Sequence, residues 1–270
     1  MPSYVVTGVS RGIGLEFVNQ LTKDTNNVVF GLARTPQNAP KLFELQKSRP
    51  NLHIIKADIV DAAAAEVEKV TGGSLDYLIN NAAQVNTGER TGLTLSTYPN
   101  EDLLEEDLVQ TFRINVVGVA HTINAFLPLL RKGSTKKVIS LSTGLADNDV
   151  TLKAGIAISA PYSISKAALN AAVAKYAAEL RDEGFTFLAL SPGVVNTAEK
   201  PPDAKEHAAT PEELERIGGL FLKFKKLAPH WDGNPLSPET SVRLMLDVIE
   251  RSSVQNTGAF LSHWGNQQWL

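Results

Sequence analysis

The sequence predicts an α/β fold: a single doubly wound parallel sheet of about seven strands with helices on both faces. Three observations predict it. Short β-branched or apolar runs alternate with helical patterns along all 270 residues. Those runs are almost continuously apolar rather than alternating, as in strands buried on both faces. Strands separated by helical stretches also build βαβ units with right-handed crossovers. No linker-like Pro/Gly/Ser tract divides the chain and no repeat is visible, so residues 1–270 read as one domain.

Strands are predicted over 4–6, 28–32, 53–56, 77–79, 137–141, 185–190 and 259–261, where β-branched and aromatic residues cluster. Helices are predicted over 12–21, 41–47, 62–70, 103–130, 162–181 and 239–250, where apolar residues recur at helical spacing. The acidic run from Glu101 to Asp107 suits a helix N-terminus, where the dipole favours negative charge. Residues 196–238 read as an irregular insertion, punctuated by Pro201, Pro202, Pro211, Pro229, Pro235 and Pro238. A long insertion in a compact domain is usually a functional loop, so this one is predicted to be a substrate lid. Within it Leu214, Ile217, Leu220, Phe221, Phe224 and Leu227 are spaced to make one helical face.

Composition removes several function classes. Hydrophobic residues make up 43% and charged residues 20%, which excludes disorder or a collagen-like repeat as a description of the whole chain. A net charge of -3 offers no basic field, so neither nucleic acid nor an anionic membrane is an expected partner. The absence of cysteine excludes a disulfide framework, thiolate zinc sites, iron–sulfur clusters and a cysteine nucleophile. It fits a reducing compartment, and a cytoplasmic location is expected. The five histidines show no metal-ligand spacing, so no metal site is expected. The opening residues carry no signal-peptide pattern, and charge or glycine breaks every apolar run well short of about 18 residues.

The first strand runs into Thr7-Gly8-Val9-Ser10-Arg11-Gly12-Ile13-Gly14. Gly8 permits a tight turn, Gly12 lets the backbone approach a pyrophosphate, and Gly14 lets the helix pack on the strand. The helix that follows presents unpaired N–H groups to an anion. A strand, a glycine turn and a helix are the context a dinucleotide site requires. The second strand ends in Arg34-Thr35, and no Asp or Glu occurs between Thr25 and Leu42. An acidic residue there would hold the ribose 2′-OH of NAD, whereas arginine accommodates a 2′-phosphate. Arg34 and Arg11 therefore point to NADP(H), unless Arg34 is merely a solvated charge at a strand end. Asp58, after the third strand, suits either the adenine amino group or the cap of the next helix.

Downstream lies Tyr162-Ser163-Ile164-Ser165-Lys166. Residues four apart share a helix face. A lysine one turn from a tyrosine is expected to lower the phenol from its usual value near about 10, fitting it for proton transfer.

In order and separation, the glycine turn and the Tyr–Lys pair resemble the short-chain dehydrogenase/reductase family over nearly the whole chain. Residues 7–14 match its TGxxxGxG turn, and Tyr162 with Lys166 matches YxxxK. Asn80-Asn81-Ala82-Ala83 resembles NNAG, with Ala83 in place of glycine. Asn115, preceded by Arg113, matches the family's helix asparagine, and Pro192-Gly193-Val194-Val195-Asn196-Thr197 matches its PGxVxT loop. The family's catalytic hydroxyl falls on Thr143 in strict register, with Ser142 as the alternative, since successive strand residues face opposite ways. Tyr162 stands 19 positions after Thr143, longer than is usual, so 147–157 reads as an insertion beside the site. Residues 258–265 resemble the end of the branch that holds sniffer-type carbonyl reductases and fungal norsolorinic acid ketoreductases.

The resemblance implies a Rossmann fold, NADP(H) as cofactor, and reversible reduction of a small-molecule ketone or aldehyde. It implies that Tyr162 is the acid, that Thr143 or Ser142 holds the carbonyl oxygen, and that Lys166 tunes the tyrosine and binds the nicotinamide ribose. Asn115 is implied to support a proton-relaying water. The cofactor is expected on Gly8, Ser10, Arg11, Gly12, Ile13, Gly14, Arg34, Thr35, Asp58, Asn81, Arg113, Tyr162, Lys166, Pro192, Val195 and Thr197. A homodimer or homotetramer is expected through the helices at 103–130 and 162–181, the second of which is rich in alanine. Two other readings belong to the same fold. NAD(P)-dependent epimerases and dehydratases usually have a TGxxGxxG turn, which this chain lacks, and non-catalytic NADP sensors typically lose the tyrosine or lysine. A lid with one apolar face points to a bulky or aromatic ketone.

Overall fold

Strand and helix alternate through β1 (Ser3–Thr7), α1 (Gly12–Leu21), β2 (Val28–Ala33), α2 (Pro40–Ser48), β3 (Leu52–Lys56), α3 (Val60–Thr71) and β4 (Tyr77–Asn80). The chain continues through α4 (Glu101–Phe112), α5 (Gly118–Lys132), β5 (Lys137–Leu141), α6 (Asn148–Ala154), α7 (Ala160–Leu180) and β6 (Thr186–Ser191). It ends with α8 (Pro211–Leu227), α9 (Pro238–Arg251) and β7 (Ala259–Ser262). The computed structural model describes residues 1–57, 60–85, 88–197 and 211–270.

The seven strands form one parallel sheet in the order β3-β2-β1-β4-β5-β6-β7. Each face buries its own core. Phe30, Val67, Phe126, Val173 and Phe187 pack under α3, α5 and α7. Val6, Phe17, Leu42, Ile139 and Met245 pack under α1, α2 and α9 on the other face. The doubly wound α/β architecture predicted from the apolar runs is therefore the one observed. Because the winding reverses between β1 and β4, the loops after these strands diverge and open a crevice at their carboxyl ends.

The structure departs from the predicted elements in three places. The helix expected at 103–130 is helical from Glu101 to Lys132 but passes through a π-helical turn at Arg113–Val117. This helical run is long and apolar enough to cross a membrane on length and composition. Of its apolar residues, Val119, Ile123 and Phe126 are buried against the sheet. A short helix, α6, occupies the insertion at 147–157. It is capped by Asp147, which accepts from the Asp149 N–H at 2.8 Å, and closed by Gly155 at φ 62. Part of the expected irregular segment is the 17-residue helix α8, which begins at Pro211. Proline is tolerated in a helix's first turn, so Pro211 starts this helix rather than breaking it.

Candidate active site

The glycine turn after β1 is built from contacts that leave no room for side chains. Gly8 has φ +71, and a Cβ there would lie 2.8 Å from Ala82 Cα. A Cβ at Gly14 would lie 2.3 Å from Gly8 O and 2.4 Å from Asn81 Nδ2. Asn81 fastens the turn to the end of β4, since its Nδ2 donates to Thr7 O at 2.9 Å and to Gly8 O at 3.0 Å. Thr7 Oγ1 accepts from the Asn81 and Ala82 N–H groups, each at 3.0 Å. The residue expected to touch cofactor is thus a brace for the turn that would hold it. Arg11 precedes α1 in extended conformation and is exposed. Ser10 lies half-buried in the turn, and Ile13 packs on the second core. Gly12 has φ +57, and a Cβ on it would meet Thr197 Cβ at 3.4 Å, so the loop after β6 lies against the start of α1.

Arg34 and Thr35 are exposed just past the end of β2. Arg113 is exposed at the start of the π-helical turn. Asp58 lies outside the described residues. After β6, Pro192 O accepts from the buried Ser241 Oγ at 2.7 Å, and Val195 bridges to Leu236. These bonds fix the loop at 192–197 to α9 and its lead-in. The glycine cradle, the free α1 N-terminus and the exposed Arg11 and Arg34 together fit a phosphate-bearing dinucleotide.

The carboxyl end of β5 faces α7. Ser142 Oγ donates to Asn170 Oδ1 at 2.7 Å, so this hydroxyl is committed to the helix. The next residue turns the opposite way, and the Thr143 side chain lies beside the Tyr162 phenol. Lys166, 2% exposed, donates from Nζ to Leu141 O at 2.7 Å, and its Nζ stands 5.9 Å from the Tyr162 ring centre. Lys166 was expected to lower the phenol; instead, burial pushes Tyr162 up to about 12, and the Thr143 side chain pulls it back only in part. Burial also holds the Lys166 ammonium down at about 8. The ammonium is turned to a carbonyl at the strand end, and desolvation outweighs it. Tyr162 is therefore a protonated phenol at neutral pH, and it can share one ligand oxygen with Thr143.

Asn115 sits in the π-helical turn, a distortion that often marks functional sites. It is fully buried. Its Nδ2 donates to Gln84 O at 2.9 Å and to Ser165 Oγ at 2.9 Å, while its Oδ1 accepts from Gln84 N at 2.8 Å. Ser165 Oγ in turn donates to Tyr162 O at 2.7 Å. The side chain is thus a strut between the loop after β4 and the first turn of α7.

Sequence reasoning missed Asn170, although its spacing of four from Lys166 marks the same helix face. It missed the linking role of Ser165 as well. It gave no hint of Trp269, which reaches the site only through tertiary packing. Phe224 and Trp269 bury themselves with Val150, Ala154, Ile156 and Trp231, and Phe224, Trp269 and Val150 line one pocket with Thr143. Leu220, Phe221 and Leu227 of α8 pack against this cluster, so the described part of the expected lid is a helix seated on α6. The side chains of Leu214 and Ile217 lie outside the described residues.

The family profile for short chain dehydrogenase matches residues 3–207. Short chain dehydrogenase virK of Hypocrea virens is 41% identical over 280 residues, covering all of both chains. Short-chain dehydrogenase/reductase AacuF of Aspergillus aculeatus is 44% identical over 277 residues, again covering all of both. Among solved structures, an NADPH-bound carbonyl reductase from chicken fatty liver superposes with a TM-score of 0.77 at 27% identity, covering 98% of each chain. The carbonyl reductase Sniffer of D. melanogaster shares the fold, with a TM-score of 0.75 at 23% identity over 98% of each chain.

Proposed function

The chain belongs to the short chain dehydrogenase family of oxidoreductases, and we propose that it reduces a bulky or aromatic ketone or aldehyde with NADPH, reversibly. The observation that carries this reading is the pair of hydroxyls from Thr143 and Tyr162 at the end of β5, backed by a buried lysine. NADP(H), when bound, supplies the hydride for the carbonyl carbon and takes it back in the reverse direction. The Gly8–Gly14 turn, Arg11 and Asn81 would hold or brace its pyrophosphate, Arg34 and Thr35 its 2′-phosphate, and the loop at 192–197 its far end. Lys166, buried at the end of β5, would meet its ribose.

Tyr162 gives its phenolic proton to the carbonyl oxygen as charge develops there. Thr143 donates to the same oxygen and fixes its position. Asn115 works through Gln84 and Ser165 to hold the two loops that frame this oxygen. A phenol held near 12 keeps its proton at neutral pH and so is in the form that can donate it. NADPH preference is supported by Arg34, by the lack of a nearby carboxylate in 25–42, and by the NADPH-bound relative. Oxidation of NADPH and NADH, followed at equal concentration across a panel of aryl ketones, aldehydes and quinones, tests the reading. Equal efficiency with both cofactors would refute the NADPH preference, and turnover of none of them would refute the reductase.

The lack of cysteine supports work in the cytoplasm, which a fluorescent fusion found only in an oxidising compartment would refute. Val109 and Phe112 of α4 and Ile164 of α7 are exposed, and we assign this face to a twofold partner in a dimer or tetramer. A monomeric mass at micromolar concentration would refute that assignment.

A further inference from the structure

We propose that Trp269 is a specificity-determining residue, a fixed wall that limits one substituent of the carbonyl to about the size of a methyl group. This rests on the reductase reading above. Beside Thr143 lies a pocket of about 40 Å³, walled by Val150, Phe224, Leu227 and Trp269. Trp269 also lines a cleft of about 310 Å³, edged by Asp149, Lys153, His230 and Gln268. Trp269 borders both spaces.

An apolar cavity of about 150 Å³ is what a benzene ring occupies. The inner pocket is far below that, so it admits a hydrogen or a methyl group and refuses a ring. The outer cleft has room for a ring, and Trp269 stands with Val150, Leu227 and Leu270 on the border between it and the pocket beside Thr143.

Trp269 is built into place from three sides. Its Nε1–H donates to Asp147 Oδ2 at 2.9 Å. Its ring stacks on Phe260 with centres 4.2 Å apart and planes at 26°. Gly144, next to Thr143, lacks the Cβ that would stand 2.7 Å from Trp269 Cβ. The glycine thus lets the tryptophan side chain come up against the turn that carries the proposed carbonyl-binding hydroxyl. The wall therefore belongs to this site and is 8% exposed. A ketone bound to Thr143 and Tyr162 places its smaller group in the inner pocket and carries its bulk outside it. Aryl methyl ketones and aldehydes fit this demand, and diaryl ketones do not.

The test compares kcat/KM for an aryl methyl ketone and for a diaryl ketone in the unmodified protein, in Trp269→Ala and in Asp147→Asn. Trp269→Ala removes the largest of the four side chains that border both spaces. Admitting one more hydrocarbon unit to an apolar pocket changes specificity by about ten- to two-hundredfold. The ratio of diaryl to methyl ketone should therefore rise by at least about tenfold, with KM for NADPH unchanged. Asp147→Asn keeps the Oδ1 that caps α6 and replaces the acceptor of the indole N–H with a donor, so it loosens the ring without removing it. It should shift the ratio in the same direction by a smaller factor, and it decides the matter if Trp269→Ala does not fold. A ratio unchanged in Asp147→Asn and in a folded Trp269→Ala, or both ketones falling together, overturns the wall and leaves the reductase reading intact. Turnover of neither ketone by the unmodified protein overturns both.

Discussion

Replacing Lys166 with methionine separates a cation kept for function from one kept for stability. Burial has lowered its ammonium from 10.5 to about 8. At about 1.4 kcal/mol per pKa unit, keeping the charge in the folded protein costs about 3 kcal/mol. Methionine fills a similar volume with nothing to desolvate, and it forfeits the hydrogen bond to Leu141 O, worth about 1–3 kcal/mol. Lys166→Met should therefore stay as stable as the unmodified protein, or gain up to about 2 kcal/mol, while turnover falls at least about a hundredfold. The pH dependence adds a second signature. Between pH 8 and 10.5 the folded state binds fewer protons at this site than the unfolded chain. Its contribution to stability therefore rises with pH across that window, by up to about 1.4 kcal/mol per pH unit, and the variant lacks that rise. Urea melts at pH 7 and at higher pH, read beside NADPH oxidation on the same samples, measure both. A loss of more than about 3 kcal/mol, with activity falling only as the folded fraction falls, would show that Lys166 is structural and refute the reasoning.

Arg34→Asp should weaken NADPH binding and relax or reverse the cofactor preference, read as the ratio of kcat/KM with NADPH to that with NADH; an unaltered ratio would remove Arg34 from the site. Thr143→Val should cut ketone turnover by about a hundredfold, as removal of one transition-state donor does, whereas Ser142→Ala should cost less because that hydroxyl serves Asn170; the reverse ranking would assign the role to Ser142. His263 is 2% exposed, its Nδ1 has no partner among the described residues, and burial holds it down at about 4. From pH 6.5 to about 4 the unfolded chain binds a proton there that the folded state refuses, so stability falls on acidification by up to about 1.4 kcal/mol per pH unit. His263→Asn should flatten that slope in melts across the same window, and an identical slope would place the acid sensitivity elsewhere.

The sheet was legible because its strands are apolar on both faces, a pattern that runs such as Val138-Ile139 and Phe187-Leu188 write directly into the chain. The glycine turn was legible because a Cβ on Gly8 or Gly14 would strike neighbouring atoms, and Gly12 holds a positive φ that side chains rarely adopt. What could not be read is what depends on burial and distant packing. The order of Tyr162 and Lys166 gave their shared face, but only the packed site tells that desolvation outweighs the ammonium. The choice between Thr143 and Ser142 needed Asn170, which takes up one of the two hydroxyls. The helix α6 is too short to declare a period, and the prolines around α8 concealed a helix whose apolar face was visible. Trp269 lies far along the chain from Gly144, and no local pattern marks it.

The most direct test of the central claim is Tyr162→Phe, which removes one phenolic oxygen and keeps the ring. NADPH affinity, followed by cofactor fluorescence, should be nearly unchanged, and NADPH-dependent reduction of an aryl methyl ketone should fall by about a hundredfold or more. Near-full ketone reduction by the folded variant would contradict the account, because the proton would then come from another group.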